Sequence, residues 1–174
     1  GKNNIAGIGL AITKDGRLTY AKGYGFADKT AGTRVDTSTL FRISSISKTI
    51  TAAAIMKLVQ ENKLSLDDKI FGDDGLLQHD FGTQPYKTHI TSLTVKHCLS
   101  HHVGGWGNAS NDPTMTNNAM SANQLISWII DNRPLDVPPG TAYAYSNVGF
   151  MILGRVIEKI SGLSYEDYVK QNIL

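Results

Sequence analysis

The 174-residue sequence predicts an α+β fold in which a β-hairpin precedes a mainly helical region. Within residues 5–27, large apolar residues alternate with small or polar ones on both sides of an Asp15-Gly16 pair. Such alternation is typical of β-strands, and Asp-Gly is typical of a tight hairpin turn. Later in the sequence, apolar residues recur with helical spacing. We therefore divide the chain into a hairpin part, residues 1–40, and a mainly helical part, residues 41–174.

The two faces of the predicted hairpin differ in side-chain size. Ile8, Leu10 and Ile12 share one face of the first strand, and glycine and alanine alternate with them on the other. A face of small residues allows a helix to approach a sheet closely. Two strands do not form a stable sheet unless a helix or more strands cover them, and no later strand pair of similar quality follows. Of these two possibilities we favour further strands from sequence beyond Leu174.

The helical part contains several helix patterns, each with a boundary signal typical of helices. They are residues 45–62, which end near Asn62; a helix that begins at the capping box formed by Ser121 and Gln124; residues 148–160, which end at Gly162; and a last helix capped by Ser164 and Asp167. The polar stretch at residues 107–123 has no period and is predicted to be a loop.

The composition excludes several classes of protein and of partner. With 41% apolar and 18% charged residues, the sequence is typical of a folded globular domain. The net charge of +2 is not gathered into a basic cluster, so no nucleic acid partner is predicted. No apolar run approaches the ~18 residues that a membrane-spanning helix needs, so no membrane span is predicted. The single cysteine, Cys98, cannot form an internal disulfide, which leaves the cellular compartment open.

A serine-rich segment at the start of the first predicted helix has two interpretations. The segment reads FRISSISKTITAAAIMKLVQ over residues 41–60 and contains Ser44, Ser45 and Ser47. Serine is a favoured N-cap residue, so helix capping is the simpler interpretation. The other is catalysis, because a serine and a lysine three residues later lie one helical turn apart, share a helix face and can exchange a proton. Only Ser45 has such a partner, Lys48.

A second motif favours catalysis. Tyr145-Ser146-Asn147 stands directly before an amphipathic helix pattern, well downstream of the Ser-x-x-Lys motif. Together the two motifs resemble those of the serine β-lactamase and penicillin-binding protein superfamily, and more narrowly its class C branch of DD-peptidases, D-amino-acid peptidases and esterases. The segments IAGIGLAITKDGRLTYAKGYGFAD and LTVKHCLSHHVGGW are also similar to that branch, so the resemblance covers nearly the whole chain. It implies a β-lactamase/DD-peptidase-like fold, with residues 1–174 as the N-terminal part of the catalytic domain.

The resemblance also implies a role for each motif residue. Ser45 would be the nucleophile, and Lys48 would be a proton acceptor or a cation that lowers the pKa of its neighbours. Tyr145 would be the general base for acylation and for the attacking water. Because a free tyrosine titrates near pH ~10, nearby cations must favour its phenolate, or it must relay a proton in concert. Asn147 would bind the amide on the acyl side of the substrate.

Part of the family pattern is missing from this sequence. The third motif, Lys-Thr-Gly or His-x-Gly on a strand, should follow the tyrosine motif by a long interval, and the sequence ends at Leu174. That strand also supplies the second oxyanion N–H, so we expect roughly half of the catalytic apparatus here. We expect a C-terminal companion segment or self-association of the chain. His102 and Val103 replace the usual Thr and Ser, which affects local packing rather than chemistry.

The sequence therefore predicts a serine hydrolase that acts through an acyl-enzyme on a β-lactam or related amide. The alternatives are a D-Ala-D-Ala carboxypeptidase or D-amino-acid peptidase, a small-ester esterase and, outside enzymes, a penicillin-binding sensor or assembly module. The expected partner is a small-molecule or peptide substrate with a scissile amide, lactam or ester bond. No metal or organic cofactor is expected, although His97 and His101 have the i, i+4 spacing that suits zinc. The resemblance favours a periplasmic or secreted bacterial protein, whereas the sequence itself leaves localisation open.

Overall fold

The computed structural model describes residues 5–108, 112–117 and 119–174. The chain divides into two compact units, Gly1–Ser44 and Ser45–Leu174, called here the hairpin unit and the helical unit. The strands of the described residues are β1 (Gly7–Lys14), β2 (Arg17–Asp28) and β3 (Thr33–Arg34). The α-helices are α1 (Ser47–Gln60), α2 (Val95–Leu99), α3 (Pro113–Thr116), α4 (Ala122–Asn132), α5 (Asn147–Ser161) and α6 (Tyr165–Asn172). Short 3-10 helices occur at Ser44–Ile46 and Ile90–Ser92.

In the hairpin unit, β1 and β2 form an antiparallel pair, which confirms the predicted hairpin. Asp15 and Gly16 join the strands, and their φ angles of 50° and 72° both lie in the left-handed region. A two-residue turn of this kind matches the right-handed twist of the strands, and Asp-Gly is a preferred pair for it. β3 pairs with β2 and was not predicted, because a two-residue strand is too short to show alternation.

The large apolar residues of the hairpin lie on an exposed face. Ile8 pairs with Tyr24, and Ile12 pairs with Tyr20. Ile8, Leu10 and Ile12 are 48%, 44% and 49% exposed, respectively. Alternation along the strands has thus collected large side chains on one face, and that face is open to solvent in this chain.

On the opposite face, glycines allow close contact with Val35, which follows β3. A Cβ at Gly23 would lie 2.2 Å from the Val35 carbonyl oxygen, and one at Gly7 would lie 2.5 Å from the Val35 side chain. Val35 is itself buried. The close neighbour of the small face is therefore a segment of the same unit.

The helical unit is built around α5, which contacts α1, α2, α4 and α6. A hydrogen bond of 2.7 Å between the hydroxyl groups of Thr51 and Tyr165 also joins α1 to α6. The buried apolar side chains that α5 and α1 supply to the core are Val148, Ile152, Leu153, Val156, Ile157, Ala54, Ile55 and Leu58. Burial of each large side chain contributes about 1.5–3 kcal/mol, so this core dominates the stability of the unit.

The N-terminal end of α5 approaches α2 and the residues after it at Gly149. A Cβ at Gly149 would lie 3.2 Å from Val103 Cγ2 and 3.5 Å from Cys98 Cα. Val103 and Cys98 are fully buried, and burial raises the pKa of the Cys98 thiol. Val103, where the sequence departs from the resembled pattern, is thus a packing residue of the helical core.

The predicted boundary signals are found at three helices. Ser121 and Gln124 form a capping box at α4, and the Ser164 hydroxyl accepts a hydrogen bond from the backbone N–H of Asp167 at α6. α5 ends at Gly162, whose φ of 71° is the left-handed conformation that favours glycine.

Two other predictions were wrong in part. The first helix begins at Ser47 rather than Ser45, and its N-cap, Ile46, makes no side-chain capping bond. Helix capping therefore does not explain the serine run. The predicted loop at 107–123 contains α3, which Asp112 caps and which begins with Pro113. Residues 109–111 and 118 of that stretch lie outside the described residues.

None of the helices in the described part of the chain combines the length and the hydrophobicity needed to cross a bilayer.

Candidate active site

Ser45 and Lys48 lie together at the start of α1. Ser45 is exposed in the 3-10 turn that leads into the helix, and Lys48 is half-buried in its first turn. The Lys48 Nζ donates a hydrogen bond to Ser45 Oγ at 3.2 Å. Of the neighbouring serines, Ser44 has a left-handed φ of 48°, and Ser47 accepts a hydrogen bond from Thr51 through its backbone oxygen.

Tyr145 lies beside this pair, directly before α5. The Lys48 Nζ is 4.9 Å from the centroid of the Tyr145 ring. Hydrogen bonding by Lys48, and secondly by Ser45, lowers the pKa of Tyr145, although partial burial acts in the opposite direction. The geometry therefore favours the phenolate more than free tyrosine does.

Asn147, the first residue of α5, completes the predicted group. Its Oδ1 accepts a hydrogen bond from Lys48 Nζ at 2.6 Å. Its backbone N–H donates to Asn108 Oδ1 at 3.1 Å. The helix is capped by Ser146, whose hydroxyl accepts from the backbone N–H of Gly149 at 3.2 Å. The structure thus brings all four predicted site residues together, and their chemical roles remain predictions.

The tyrosine motif is positioned by the residues that follow α2. The backbone N–H of Asn108 donates to the Tyr145 carbonyl oxygen at 2.8 Å, and that of Ala144 donates to the His101 carbonyl oxygen at 2.8 Å. The His101 ring lies 4.4 Å from the Tyr145 ring, centroid to centroid, and its Nδ1 accepts from the Ser146 N–H at 3.1 Å. Since Nδ1 is an acceptor, neutral His101 carries its proton on Nε2. Burial, and secondly the Lys48 charge, lowers the pKa of His101.

The sequence model of the Beta-lactamase family matches residues 1–174. The chain belongs to the beta-lactamase family. An octameric penicillin-binding protein homologue from Pyrococcus abyssi has a similar structure, with a TM-score of 0.79 and 32% identity over 99% of this chain and 39% of that one. Penicillin-binding protein 4* of Bacillus subtilis (strain 168) is 31% identical over 99% of this chain and 36% of its own length.

A D-amino acid amidase from Ochrobactrum anthropi SV3 shares the fold. Its TM-score is 0.77 at 23% identity, over 99% of this chain and 45% of the amidase. These comparisons confirm the β-lactamase/DD-peptidase-like fold. This chain of the beta-lactamase family spans about a third of the curated relatives it matches, 36% of the Bacillus subtilis protein and 34% of protein flp from Staphylococcus aureus (strain MW2).

The zinc interpretation of the histidines fails for this beta-lactamase-family chain. α2 ends at Leu99, and His101 has a left-handed φ of 59°, so His97 and His101 are not on one helix. His97 Nδ1 instead accepts the backbone N–H of Thr94 at 3.2 Å, as part of the capping box of α2. Within the described residues, no group of three or more His, Cys, Asp or Glu side chains could hold a metal ion.

Sequence reasoning missed two polar residues of this beta-lactamase-family site, Asn108 and Asp112, and singled out a third, His101, for its zinc-like spacing. Asn108 and His101 position the tyrosine motif, and Asp112 accepts a hydrogen bond from Asn147 Nδ2 at 2.7 Å. A signal for Asp112 exists, because Asp followed by Pro is typical of a helix N-terminus. Asn108 has no comparable local signal.

Proposed function

We propose that the chain carries the nucleophile of a serine hydrolase that forms an acyl-enzyme on Ser45. One observation carries the proposal, namely that Lys48 Nζ bridges Ser45 Oγ at 3.2 Å and Asn147 Oδ1 at 2.6 Å beside Tyr145. A hydroxyl, an ammonium and a phenol of lowered pKa in contact are the groups needed to activate a serine.

Acylation would begin with proton transfer from the Ser45 hydroxyl to the Tyr145 phenolate, directly or through Lys48. Ser45 Oγ bonds to the substrate carbonyl carbon, whose oxygen becomes an oxyanion. The oxyanion then collapses, and the bond from the carbon to the leaving nitrogen or oxygen breaks. The leaving group takes the proton held by Tyr145, and in a lactam it stays attached through the remainder of the ring.

Deacylation would use the same base. Tyr145 removes a proton from water as the water oxygen attacks the acyl carbon. When the new tetrahedral oxyanion collapses, Ser45 Oγ leaves and recovers that proton, and a carboxylic acid is released. The backbone N–H of Ser45 would donate to both oxyanions from the N-terminal side of α1, where the helix dipole also favours negative charge.

The substrate we propose is a β-lactam or a related amide. The Bacillus subtilis relative is named a penicillin-binding protein at 31% identity, which supports recognition of a β-lactam. The amidase neighbour supports the wider class of amides through its fold alone. A D-peptidase shares the acylation step and differs in how fast water releases the acyl group.

We also propose that residues 1–174 form part of a larger catalytic domain. The chain spans 36% and 39% of the two penicillin-binding relatives, and the hairpin presents an exposed apolar face of the kind that another packed segment covers. A C-terminal companion segment would then supply the third motif and the second oxyanion donor.

The test is covalent labelling of the full gene product with a β-lactam or a fluorophosphonate, followed by peptide mapping. We expect one adduct, on Ser45, and none in Ser45→Ala. Ser47→Ala is the matched control, since Ser47 has no lysine one turn ahead, and it should label normally. An adduct on Ser44 or Ser47 would contradict the assignment.

Intact mass measured over time after penicillin addition tests the substrate. Rapid loss of the adduct with release of hydrolysed penicillin is the result expected of a β-lactamase. An adduct that persists would instead support a peptidase or a penicillin-binding sensor.

A further inference from the structure

Asp112 is a buried carboxylate that the proposed acylation and deacylation steps do not use. It is 7% exposed and caps the short helix α3. Its Oδ1 accepts hydrogen bonds from the backbone N–H and the hydroxyl of Thr114, at 2.9 and 2.7 Å. Its Oδ2 accepts from Asn147 Nδ2 at 2.7 Å. None of the ion pairs found among the described residues includes Asp112, so these hydrogen bonds must compensate for the cost of burying it.

The Asn147 side-chain amide connects this carboxylate to Lys48. Its oxygen accepts from Lys48 Nζ at 2.6 Å, and its nitrogen donates to Asp112 at 2.7 Å. An ammonium group can only donate hydrogen bonds, and a carboxylate can only accept them. Rotation of the amide by half a turn would lose both bonds and would set NH2 against ammonium and oxygen against carboxylate. The charges on the two sides therefore allow one amide orientation.

We propose that Asp112 is a positioning residue that acts through Asn147 on Lys48. It holds the amide oxygen toward Lys48, which keeps the ammonium within hydrogen-bonding distance of the Ser45 hydroxyl. This inference rests on the proposed function and adds a residue that lies outside both sequence motifs. A displacement of about 1 Å in an active site can reduce a rate ~10²-fold, so a contact one residue away from Lys48 is expected to affect turnover.

The positioning role can be separated from the capping role, because each uses a different oxygen of Asp112. Asparagine is also a favoured N-cap, so Asp112→Asn keeps an acceptor for the Thr114 N–H. With that bond kept, the new NH2 group faces the NH2 group of Asn147, and both are donors. The substitution therefore removes the amide contact while it preserves the size of the side chain and the cap of α3.

The first experiment is steady-state kinetics of Asp112→Asn in the full gene product, with the β-lactam that labels Ser45 as substrate. We expect kcat to fall about 10–100-fold with little change in KM and in the midpoint of urea unfolding. Loss of the Asp112 charge disfavours the protonated form of the general base and so lowers its pKa. The acid limb of the plot of kcat against pH should therefore move to lower pH. Thr116→Val is the matched control, since the exposed Thr116 hydroxyl donates to the backbone oxygen of Asp112 and accepts from Asn117 Nδ2, both at 3.3 Å, rather than bonding the Asp112 carboxylate. For this variant kcat should stay within about twofold.

A charge exchange gives a second, independent test. Asn147→Asp alone sets two carboxylates against each other, whereas Asp112→Asn combined with Asn147→Asp again places a donor opposite an acceptor. We expect the double variant to be about 10-fold more active than Asn147→Asp alone. This comparison decides the question even if Asp112→Asn by itself does not fold.

Two results would overturn the inference. One is an Asp112→Asn enzyme with wild-type kcat and an unchanged pH profile, and the other is a double variant no more active than Asn147→Asp alone. Ser45→Ala distinguishes these outcomes from failure of the proposed function. If Ser45→Ala is inactive while Asp112→Asn is unaffected, only the inference about Asp112 fails, and if Ser45→Ala stays active, the proposed function itself fails.

Discussion

The hairpin unit and the helical unit use similar apolar residues in opposite ways. Ile8 and Ile12 of the hairpin are 48% and 49% exposed, whereas Ile55 of α1 and Ile152 of α5 are completely buried. The candidate catalytic side chains lie at the ends of those two buried helices. Dense packing fixes the position of a side chain, so a site built on α1 and α5 can hold its groups at hydrogen-bonding distances. The difference is that the candidate site rests on closely packed helices, whereas the hairpin presents large apolar side chains to solvent.

The largest expected effect tests whether the chemistry is confined to the helical unit. Tyr145→Phe keeps the ring and its contact with His101 and removes only the hydroxyl, so stability should change little. Turnover by the full gene product should fall by the ~10²–10⁴ typical of loss of a general base.

Two other tyrosines serve as controls for this variant. Tyr143→Phe alters an exposed residue of the same segment, and Tyr20→Phe removes a hydroxyl that bonds Tyr24 in the hairpin unit. Both should keep normal turnover. Near-normal turnover in Tyr145→Phe would leave Tyr145 as a packing residue and would place the general base elsewhere.

The second prediction concerns the difference in burial. Ile55→Ala should lower the free energy of unfolding by about 2–5 kcal/mol, because it leaves a cavity in the helical core. Leu10→Ala, at a residue 44% exposed, should cost much less in residues 1–174. Urea denaturation followed by circular dichroism measures both.

The same two variants can also be measured in the full gene product. If a further segment of the full gene product packs on this face of the hairpin, the cost of Leu10→Ala should rise toward that of Ile55→Ala. An equally small cost in both proteins would show that the exposed face stays uncovered.

The third prediction is that residues 1–174 alone are a poor catalyst. Loss of one oxyanion donor costs about 10²–10³ in rate, and we expect the second donor to come from a companion segment. Hydrolysis of a chromogenic cephalosporin and of a nitrophenyl ester should therefore be slow with residues 1–174 and should increase when the rest of the gene product is added. Efficient hydrolysis by the monomeric chain of residues 1–174 would refute this.

The smallest effect is a pH dependence of stability that arises next to Tyr145. Burial lowers the pKa of His101 below its usual value, so the folded state favours the neutral ring. The contribution of His101 to the free energy of unfolding is therefore complete above the unfolded-state pKa of ~6.5. It is lost as the pH falls through the lower pKa of the folded state. Since the ring is partly exposed, we expect a loss of less than about 1 kcal/mol.

Urea midpoints between pH 8 and pH 5 test this prediction. His101→Asn keeps an acceptor for the Ser146 N–H and suits the left-handed φ of 59°, but it does not titrate, so the midpoint should depend less on pH. His89→Asn, at another left-handed residue, controls for the substitution itself. An unchanged pH slope in His101→Asn would contradict the prediction.

Features with a local signal could be predicted from the sequence. The Asp15-Gly16 turn, the caps of α4 and α6 and the Ser45–Lys48 pair each depend on residues within about one turn of each other. The start of α1 was misplaced, because the 3-10 turn at Ser44–Ile46 has no sequence pattern of its own.

Contacts made by the tertiary fold could not be predicted in this way. Asp112 meets Asn147 only because the four-residue helix α3 lies against α5, and four residues are too few to show a helical period. The contact of His101 with Tyr145 likewise depends on a left-handed turn after α2, which no propensity indicated.

The buried thiol of Cys98 makes the helical unit its own reporter of transient opening. A thiol reagent attacks the thiolate, which burial disfavours at Cys98, and the side chain has no access to solvent in the folded state. The rate of its modification under native conditions should therefore measure how often α2 and α5 separate. Acylating reagents would modify Ser45, and thiol reagents would modify Cys98. One sample can therefore report both the acylated fraction of Ser45 and how often the helices around Cys98 open.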